Sequence, residues 1–229
     1  MNNRLKAILS MVEDGVGVID VGTDHGFIPI ALTENNYKGN IYASDINREP
    51  LQTAINNAKE AGIADRIIFL LCDGLEKCPP EKVDTIVIAG MGGDMICRIL
   101  DYAEWTMDQR YKLILQPMTK QEVVRYWLSN NGFITESEEL AVEGDTIYQI
   151  IAARFDGFTK YNDAELFAGK YSLTKSKETY VYQLNKLIDR FNNIIKGLYN
   201  SEQAEEYKVS FYSNILNELR EMREQYGKG

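Results

Sequence analysis

Apolar positions follow two different periods along the first 130 residues of the chain. Short runs rich in β-branched residues alternate with longer segments in which apolar residues recur every three or four positions. This alternation is typical of βαβ units and predicts a parallel sheet covered by helices. The predicted strands are Val16–Val21, Asn40–Ser44, Arg66–Leu71, Val83–Ala89 and Tyr111–Gln116. The predicted helices are Asn3–Val12, Ile28–Glu34, Glu49–Ala61, Asp94–Tyr102 and Lys120–Asn130.

The pattern changes after residue 130. Two extended segments, Gly132–Val142 and Thr146–Phe155, are joined by a link of only a few residues. Because a parallel crossover needs about a dozen residues or more, these segments are predicted to form an antiparallel hairpin. Five parallel strands followed by such a hairpin are similar to the Rossmann-like, mostly parallel seven-stranded sheet of class I methyltransferases. A plain dinucleotide-binding fold would ordinarily continue with another βαβ unit.

Residues 157–229 show helical periodicity and no strand pattern. Spacings of three and four predict two narrow apolar seams, with a turn between them at which Ser201 is a candidate N-cap. The seam positions are Tyr180, Leu184, Leu187, Phe191, Ile194 and Leu198, and then Tyr212, Ile215, Leu219, Met222 and Tyr226. We therefore expect an α/β domain over residues 1–156 and a small all-α, coiled-coil-like hairpin over residues 157–229.

Charge is distributed unevenly between these two parts. The chain has a net charge of -9, and residues 1–156 carry 14 Lys and Arg against 24 Asp and Glu, whereas residues 157–200 carry 7 against 4. The basic segment suits a polyanionic partner, although on composition alone a solvated helix face is the more common explanation. Three cysteines without a C-x-x-C pair and a single histidine argue against a disulfide framework and a metal site. Without a membrane-length apolar run or a secretory signal, a cytoplasmic protein is expected.

A glycine-containing loop follows the first predicted strand. Asp20, Gly22 and Gly26 fit the pattern acidic-x-Gly-x-Gly-x-Gly, with Asp24 in place of the middle glycine. A carboxylate there would repel the pyrophosphate of a dinucleotide, whereas a cofactor with a sulfonium cation and no phosphate tolerates it. The alternative is a glycine-rich turn of some other α/β protein.

Carboxylates also end the next two strands. Asp45 is placed to accept both hydroxyls of a ribose, and Asp73 to accept the amino hydrogens of an adenine. Each residue alone is more often a turn or cap residue, but three acids at successive strand ends favour a nucleoside-binding site. The neighbouring positions assigned to the same site are Ile46, Cys72, Gly74, Ala89 and Gly90.

Three motifs together resemble the bacterial TrmK family: Asp-Val-Gly-Thr-Asp-His-Gly from Asp20, Ile-Ala-Gly-Met-Gly-Gly from Ile88 and Leu-Ile-Leu-Gln-Pro from Leu113. The resemblance covers the whole chain. It implies an S-adenosylmethionine-dependent enzyme that methylates N1 of adenine 22 in tRNA, with Asp24 matching an aspartate proposed to contact the target base. The substrate-binding candidates are His25, Met91, Gly92, Gly93, Gln116 and Pro117, with Lys175, Lys177 and Lys186 as phosphate contacts from the hairpin.

Other interpretations of the sequence stay open. A class I methyltransferase acting on a small molecule or protein would not need the basic hairpin, and a non-catalytic RNA-binding protein would not need acids at three strand ends. The hairpin itself is either an RNA-binding or a dimerisation element. His25 either contacts substrate or packs against the helix. The oligomeric state is not fixed by the sequence, which leans towards a monomer, and no membrane partner is expected.

Overall fold

A computed structural model describes residues 1–200 and 205–227 and divides the chain into two compact units, Met1–Thr159 and Lys160–Gly229. The predicted boundary at residue 156 lies slightly earlier. Thr159 still belongs to the first unit, because its side-chain oxygen accepts a hydrogen bond from the Thr135 amide at 2.7 Å and its carbonyl accepts one from Ser129 at 2.7 Å. The candidate N-cap Ser201 lies outside the described residues.

The first unit is built on a seven-stranded sheet with the order β3-β2-β1-β4-β5-β7-β6. Its strands are β1 (Gly17–Val21), β2 (Asn40–Asp45), β3 (Ile67–Leu71), β4 (Thr85–Gly92), β5 (Lys112–Thr119), β6 (Phe133–Glu143) and β7 (Thr146–Phe155). Its α-helices are α1 (Asn3–Met11), α2 (Phe27–Glu34), α3 (Arg48–Glu60), α4 (Gly93–Asp101) and α5 (Gln121–Asn130). Strands β1 to β5 pair in parallel, and β7 pairs antiparallel with both β5 and β6. The predicted sheet is confirmed.

Both faces of the sheet are covered, and this explains the continuous apolar runs. Along β1, Ile19 belongs to a core cluster with α4 and α5, whereas its neighbour Val18 belongs to a second cluster with α1 and α2. Successive side chains of a strand point to opposite faces, so a strand buried on both sides needs apolar residues at every position. The carboxyl ends of the five parallel strands then share one edge of the sheet.

Two strands extend further than predicted at that edge. Strand β4 continues past Ala89 to Gly92, and β5 continues through Pro117 to Thr119. The pairing shifts register between Ala89 and Met91, where Gly90 has a φ of 83°. A bulge of this kind uses a glycine to bend the strand and commonly lies beside a functional site. The glycine-rich segment is therefore part of the sheet as well as the turn into α4.

An arginine is buried beneath the antiparallel hairpin. Arg125 on α5 is 0% exposed and forms an ion pair with Glu138 on β6, which is 1% exposed. The guanidinium also donates to Gln149 Oε1 on β7 at 2.7 Å. A buried charge is tolerated when its hydrogen-bonding groups are satisfied, and here one side chain from each hairpin strand contributes.

The second unit consists of helices, which are α6 (Asp163–Ala168), α7 (Lys177–Tyr199) and α8 (Glu206–Tyr226). Arg220 donates to Asn192 and Arg223 to Asn185, so α7 and α8 run antiparallel. The buried seam positions are Tyr180, Leu184, Leu187, Phe191, Ile215, Leu219 and Met222, whereas Ile194, Leu198, Tyr212 and Tyr226 are half-buried. The short helix α6 was not predicted. No helix in the described residues is long and apolar enough to cross a membrane.

Candidate functional site

The loop after β1 is held against the end of β2. The amides of Gly22 and Thr23 both donate to the Ser44 carbonyl, at 2.8 and 3.0 Å. Gly22 has a φ of 72°, and a Cβ atom there would lie 2.1 Å from the Met91 Cε. Glycine is favoured here chiefly because it adopts positive φ at no steric cost, and a larger residue would also displace the end of the Met91 side chain. At Gly22 the loop thereby brings backbone, rather than a side chain, to the edge of the sheet.

Asp24 adopts the left-handed conformation in this loop, with a φ of 44°. A non-glycine residue in this region is uncommon, and Asp and Asn tolerate it better than most. This explains how Asp24 replaces the glycine that the usual loop carries. Its carboxylate is 64% exposed, and Oδ2 lies 3.7 Å from Nε2 of His25. The His25 ring in turn stacks on Phe27, with centroids 5.3 Å apart.

A cavity of about 380 Å³, which we call the Asp24 cavity, opens beside this loop. It contains Asp24 and four of the residues predicted to bind cofactor, which are Asp20, Gly22, Ala89 and Gly90. Two further lining residues, Arg4 on α1 and Phe27 at the start of α2, were not predicted. Phe27 is 57% exposed and lines the Asp24 cavity, so its ring is available to stack on a flat ring.

A second cavity of about 310 Å³, the Asp45 cavity, lies at the ends of β2 and β3. Gly22 lines both cavities. The other predicted residues in the Asp45 cavity are Asp45, Ile46, Asp73, Gly74 and Met91. The carboxylate of Asp45 accepts a hydrogen bond from the Asn47 amide at 2.8 Å through Oδ1, which fixes its orientation and leaves Oδ2 for a ligand.

The acids at the strand ends differ in environment. Asp20 is 4% exposed, and its pKa is raised to about 7, chiefly by burial and also by the nearby Asp45 carboxylate, whereas a hydrogen bond with Thr23 and the charge of Arg4 oppose the shift. Asp73, by contrast, is half exposed and lies 3.7 Å from the guanidinium of Arg98. Desolvation disfavours the charged form of a carboxyl group, and a nearby cation favours it. A cation that binds beside Asp20 should therefore lower the pKa of this residue and ionise it.

Several predicted residues lie near these cavities without lining them. Cys72 is buried beneath the end of β3, and Gln116 is buried in β5. A Cβ on Gly26 would lie 3.1 Å from the Ala54 Cβ, so this glycine allows α2 and α3 to approach each other. A Cβ on Gly93 would lie 2.3 Å from the Lys120 carbonyl. The residues outside both cavities are His25, Gly26, Cys72, Gly92, Gly93, Gln116 and Pro117.

The three predicted phosphate contacts all lie in the second unit. Lys175 and Lys186 are exposed, and the Lys186 ammonium lies 5.4 Å from the centroid of the Tyr182 ring. Lys177 is half-buried, donates a hydrogen bond to the Tyr171 carbonyl and lies over the Tyr171 ring at 4.1 Å. Its ammonium therefore already has a structural role at the start of α7.

Known proteins match this arrangement in both sequence and structure. A family model described as a methyltransferase domain matches residues 1–151. The chain belongs to the methyltransferase domain family. It is 28% identical over 170 residues to the tRNA (adenine(22)-N(1))-methyltransferase of Bacillus subtilis, with 74% of this chain and 71% of that protein covered.

Solved structures indicate which branch of the methyltransferase family the chain resembles. The crystal structure of a putative tRNA (m1A22) methyltransferase from Streptococcus pneumoniae is 26% identical, with a TM-score of 0.83 over 97% of this chain and 99% of that chain. The same protein in complex with S-adenosyl-L-methionine gives a TM-score of 0.81. The M. capricolum TrmK in complex with S-adenosyl-homocysteine is 25% identical, with a TM-score of 0.80 over 98% of each chain. The predicted membership of the TrmK family is confirmed.

Proposed function

We propose that this protein transfers a methyl group from S-adenosylmethionine to N1 of adenine 22 in tRNA. The observation that carries the proposal is that Gly22 lines two cavities, one containing Asp45, which is predicted to bind a nucleoside, and the other containing the exposed carboxylate of Asp24. The activity of the Bacillus subtilis relative supports this assignment over a small-molecule or protein methyltransferase.

The residues of the Asp45 cavity fit the adenosine part of such a cofactor. The free oxygen of Asp45 suits a ribose hydroxyl, because a carboxylate accepts hydrogen bonds from two neighbouring donors. Ile46 and Met95 are 57% and 41% exposed in the same cavity and offer apolar surface to a purine ring. Asp73 is placed to accept from the amino group of that ring. The carboxylates of Asp45 and Asp73 disfavour a phosphate group in this cavity.

Bound cofactor would supply an electrophilic methyl group on a sulfonium centre. The N1 lone pair of adenine forms the new N–CH₃ bond as the S–CH₃ bond breaks, and the bonding pair stays with sulfur. Positive charge therefore moves from sulfur to the base, and no proton has to leave N1 first. The Asp24 carboxylate is placed to stabilise the cationic base or to orient it through its amino group. Phe27 would stack on the base and hold it in line with the methyl group.

The direct test is to incubate the full-length protein with labelled S-adenosylmethionine and an unmodified tRNA transcript, and then to map the methylated nucleoside. We expect 1-methyladenosine at position 22, and no incorporation into a matched transcript with guanine at that position. Methylation at another nucleotide would contradict the proposed site, and S-adenosylmethionine binding without incorporation into any tRNA would contradict the proposed substrate.

For the second unit we propose RNA binding through its exposed basic residues. Lys175, Lys186 and Arg190 are exposed, and phosphate contacts of this kind give affinity that depends on salt. Reversing the charge of these three residues should weaken tRNA binding and lower the log–log salt slope by ~0.7–0.9 for each phosphate that is no longer neutralised. Lys177 is left unchanged, since its contacts with Tyr171 are internal. A changed sedimentation coefficient with an unchanged salt slope would instead support dimerisation.

A further inference from the structure

We propose that the guanidinium of Arg4 binds the α-carboxylate of the cofactor's amino-acid part. The proposal rests on the proposed function and adds to it a residue that no motif in the sequence marks. It assigns the Asp24 cavity to the amino-acid half of the cofactor and the Asp45 cavity to the adenosine half, with Gly22 between them.

The first turn of α1 places Arg4 over the carboxyl ends of the strands. The helix is capped by Asn2, whose side chain accepts from the Leu5 amide at 2.9 Å. It is tied to the hairpin by the Arg4 amide, which donates to Glu143 at 2.8 Å, and by Asn3, which donates to the Val142 carbonyl at 2.9 Å. These contacts fix the backbone from which the guanidinium reaches the Asp24 cavity.

The guanidinium itself is held in a defined place. Its Nη1 donates to Gln116 Oε1 at 3.0 Å, and the group lies 5.5 Å from the centroid of the Tyr148 ring. Nη1 also lies beside the β4 bulge, 3.5 Å from where a Cβ atom on Gly90 would stand, which is ordinary van der Waals contact. A side chain positioned by the Gln116 amide and the Tyr148 ring is ready to receive a ligand without reorganisation.

Within the described residues this guanidinium has one hydrogen bond and no ion pair. An arginine carries five N–H donors, so four are available. The other partly or fully buried cations of the sheet each have a carboxylate partner: Lys112 with Glu13, Arg125 with Glu138, and Arg154 with Glu136. Arg4 therefore has no carboxylate at ion-pair distance within the described residues, although it lines a cavity and its charge acts on Asp20 at longer range.

The charges of the Asp24 cavity match those of an amino acid. Among the described residues that line it, Arg4 is the one basic side chain, and Asp20 and Asp24 are the acids. An α-amino acid presents an ammonium and a carboxylate a few ångströms apart. Its carboxylate can therefore lie beside Arg4 while its ammonium faces Asp20 and Asp24. A guanidinium is particularly suited to a carboxylate, because its planar pair of donors matches the two oxygens.

The experiment compares S-adenosylmethionine with decarboxylated S-adenosylmethionine, which keeps the sulfonium and the amine and lacks only the carboxylate. Binding of each to the full-length protein is measured by calorimetry. Arg4→Ala should weaken S-adenosylmethionine binding ~10- to 150-fold and change the affinity for the decarboxylated compound less than twofold. Lys6→Ala, an exposed cation on the same helix, is the matched control and should change neither.

The remaining outcomes separate the possible errors. An equal loss for both compounds in Arg4→Ala, reproduced by Gln116→Ala, would mean that Arg4 acts by holding Gln116 and would overturn the proposal. Unchanged cofactor binding with weakened tRNA binding would assign the guanidinium to a phosphate and would also overturn it. If the unaltered protein bound neither compound, the proposed function itself would fail. Arg4→Lys should bind S-adenosylmethionine with intermediate affinity, since it keeps the charge and loses the paired donors.

Discussion

Replacing Asp24 by glycine, alanine and asparagine separates what its backbone does from what its carboxylate does. With a φ of 44°, the residue occupies a region that costs an ordinary side chain ~1–2 kcal/mol. Glycine removes that cost but loses ~0.5–1 kcal/mol through its greater freedom in the unfolded chain. Alanine has neither advantage, and its methyl group lacks the local hydrogen bonding by which Asp tolerates the left-handed region.

These free-energy contributions predict the order in which the Asp24 variants melt. A change of 1 kcal/mol moves Tm by ~2–4 °C in a protein of this size. Asp24→Ala should therefore melt ~2–4 °C below the unaltered protein, whereas Asp24→Gly should melt within ~2 °C of it. The exposed contact with His25 adds little to either difference, because screened surface pairs contribute little.

Turnover should follow a different order. Asp24→Gly and Asp24→Ala should both lower the single-turnover methylation rate with saturating tRNA by ~10²-fold, because neither stabilises charge on the base. S-Adenosylmethionine affinity, measured by calorimetry, should change much less. Asp24→Asn keeps an acceptor for the adenine amino group without the charge, so its rate shows which of the two effects matters. Full activity in Asp24→Gly, or equal melting of the glycine and alanine variants, would refute this reasoning.

Three further expectations concern binding. Asp45→Ala should weaken S-adenosylmethionine binding ~10- to 150-fold in calorimetry, and an unchanged Kd would remove Asp45 from the site. Because Asp20 has a pKa of about 7 and a sulfonium favours its ionised form, cofactor binding should release a proton. S-Adenosylmethionine affinity should therefore rise with pH up to about 7 and level off above it, and this rise should be absent in Asp20→Asn. Phe27→Leu should raise KM for tRNA ~5- to 150-fold while Phe27→Tyr preserves it, and Tyr126→Leu, an equally exposed aromatic elsewhere, should have no effect.

The sheet was predictable because its physical cause is local. Strands buried on both faces need long apolar runs, and the short link between Val142 and Thr146 excludes a parallel crossover. The strand-end acids Asp20 and Asp45 were predictable for a related reason, since parallel strands bring their carboxyl ends to one edge. The bounds were less accurate at the glycines after Ala89, where a bulged strand and a turn have the same composition.

The missed features depend on distant contacts or on short segments. Arg4 and Gln116 are 112 positions apart in the chain, and nothing near Arg4 indicates that its helix reaches the strand ends. Phe27 could have been recognised, because a large apolar residue directly after the loop glycine Gly26 lies at the site rather than in the core. Helix α6 has six residues, too few for periodicity, and its signal is the capping box of Asn162 and Glu165.

The buried pair of Arg125 and Glu138 has a consequence for how the antiparallel hairpin aligns. Glu138 pairs with Ile151 just beyond a bulge, and a slip of one residue would turn its carboxylate to the opposite face of the sheet. Arg125 would then be buried without a counter-charge, at a cost of ~3–5 kcal/mol. The ion pair thereby disfavours a misaligned hairpin relative to the observed register. The same alignment places the Tyr148 ring beneath the Arg4 guanidinium and the Glu143 carboxylate at the Arg4 amide. The ion pair of Arg125 and Glu138, on the opposite face of the sheet, therefore helps to fix the position of Arg4 at the Asp24 cavity.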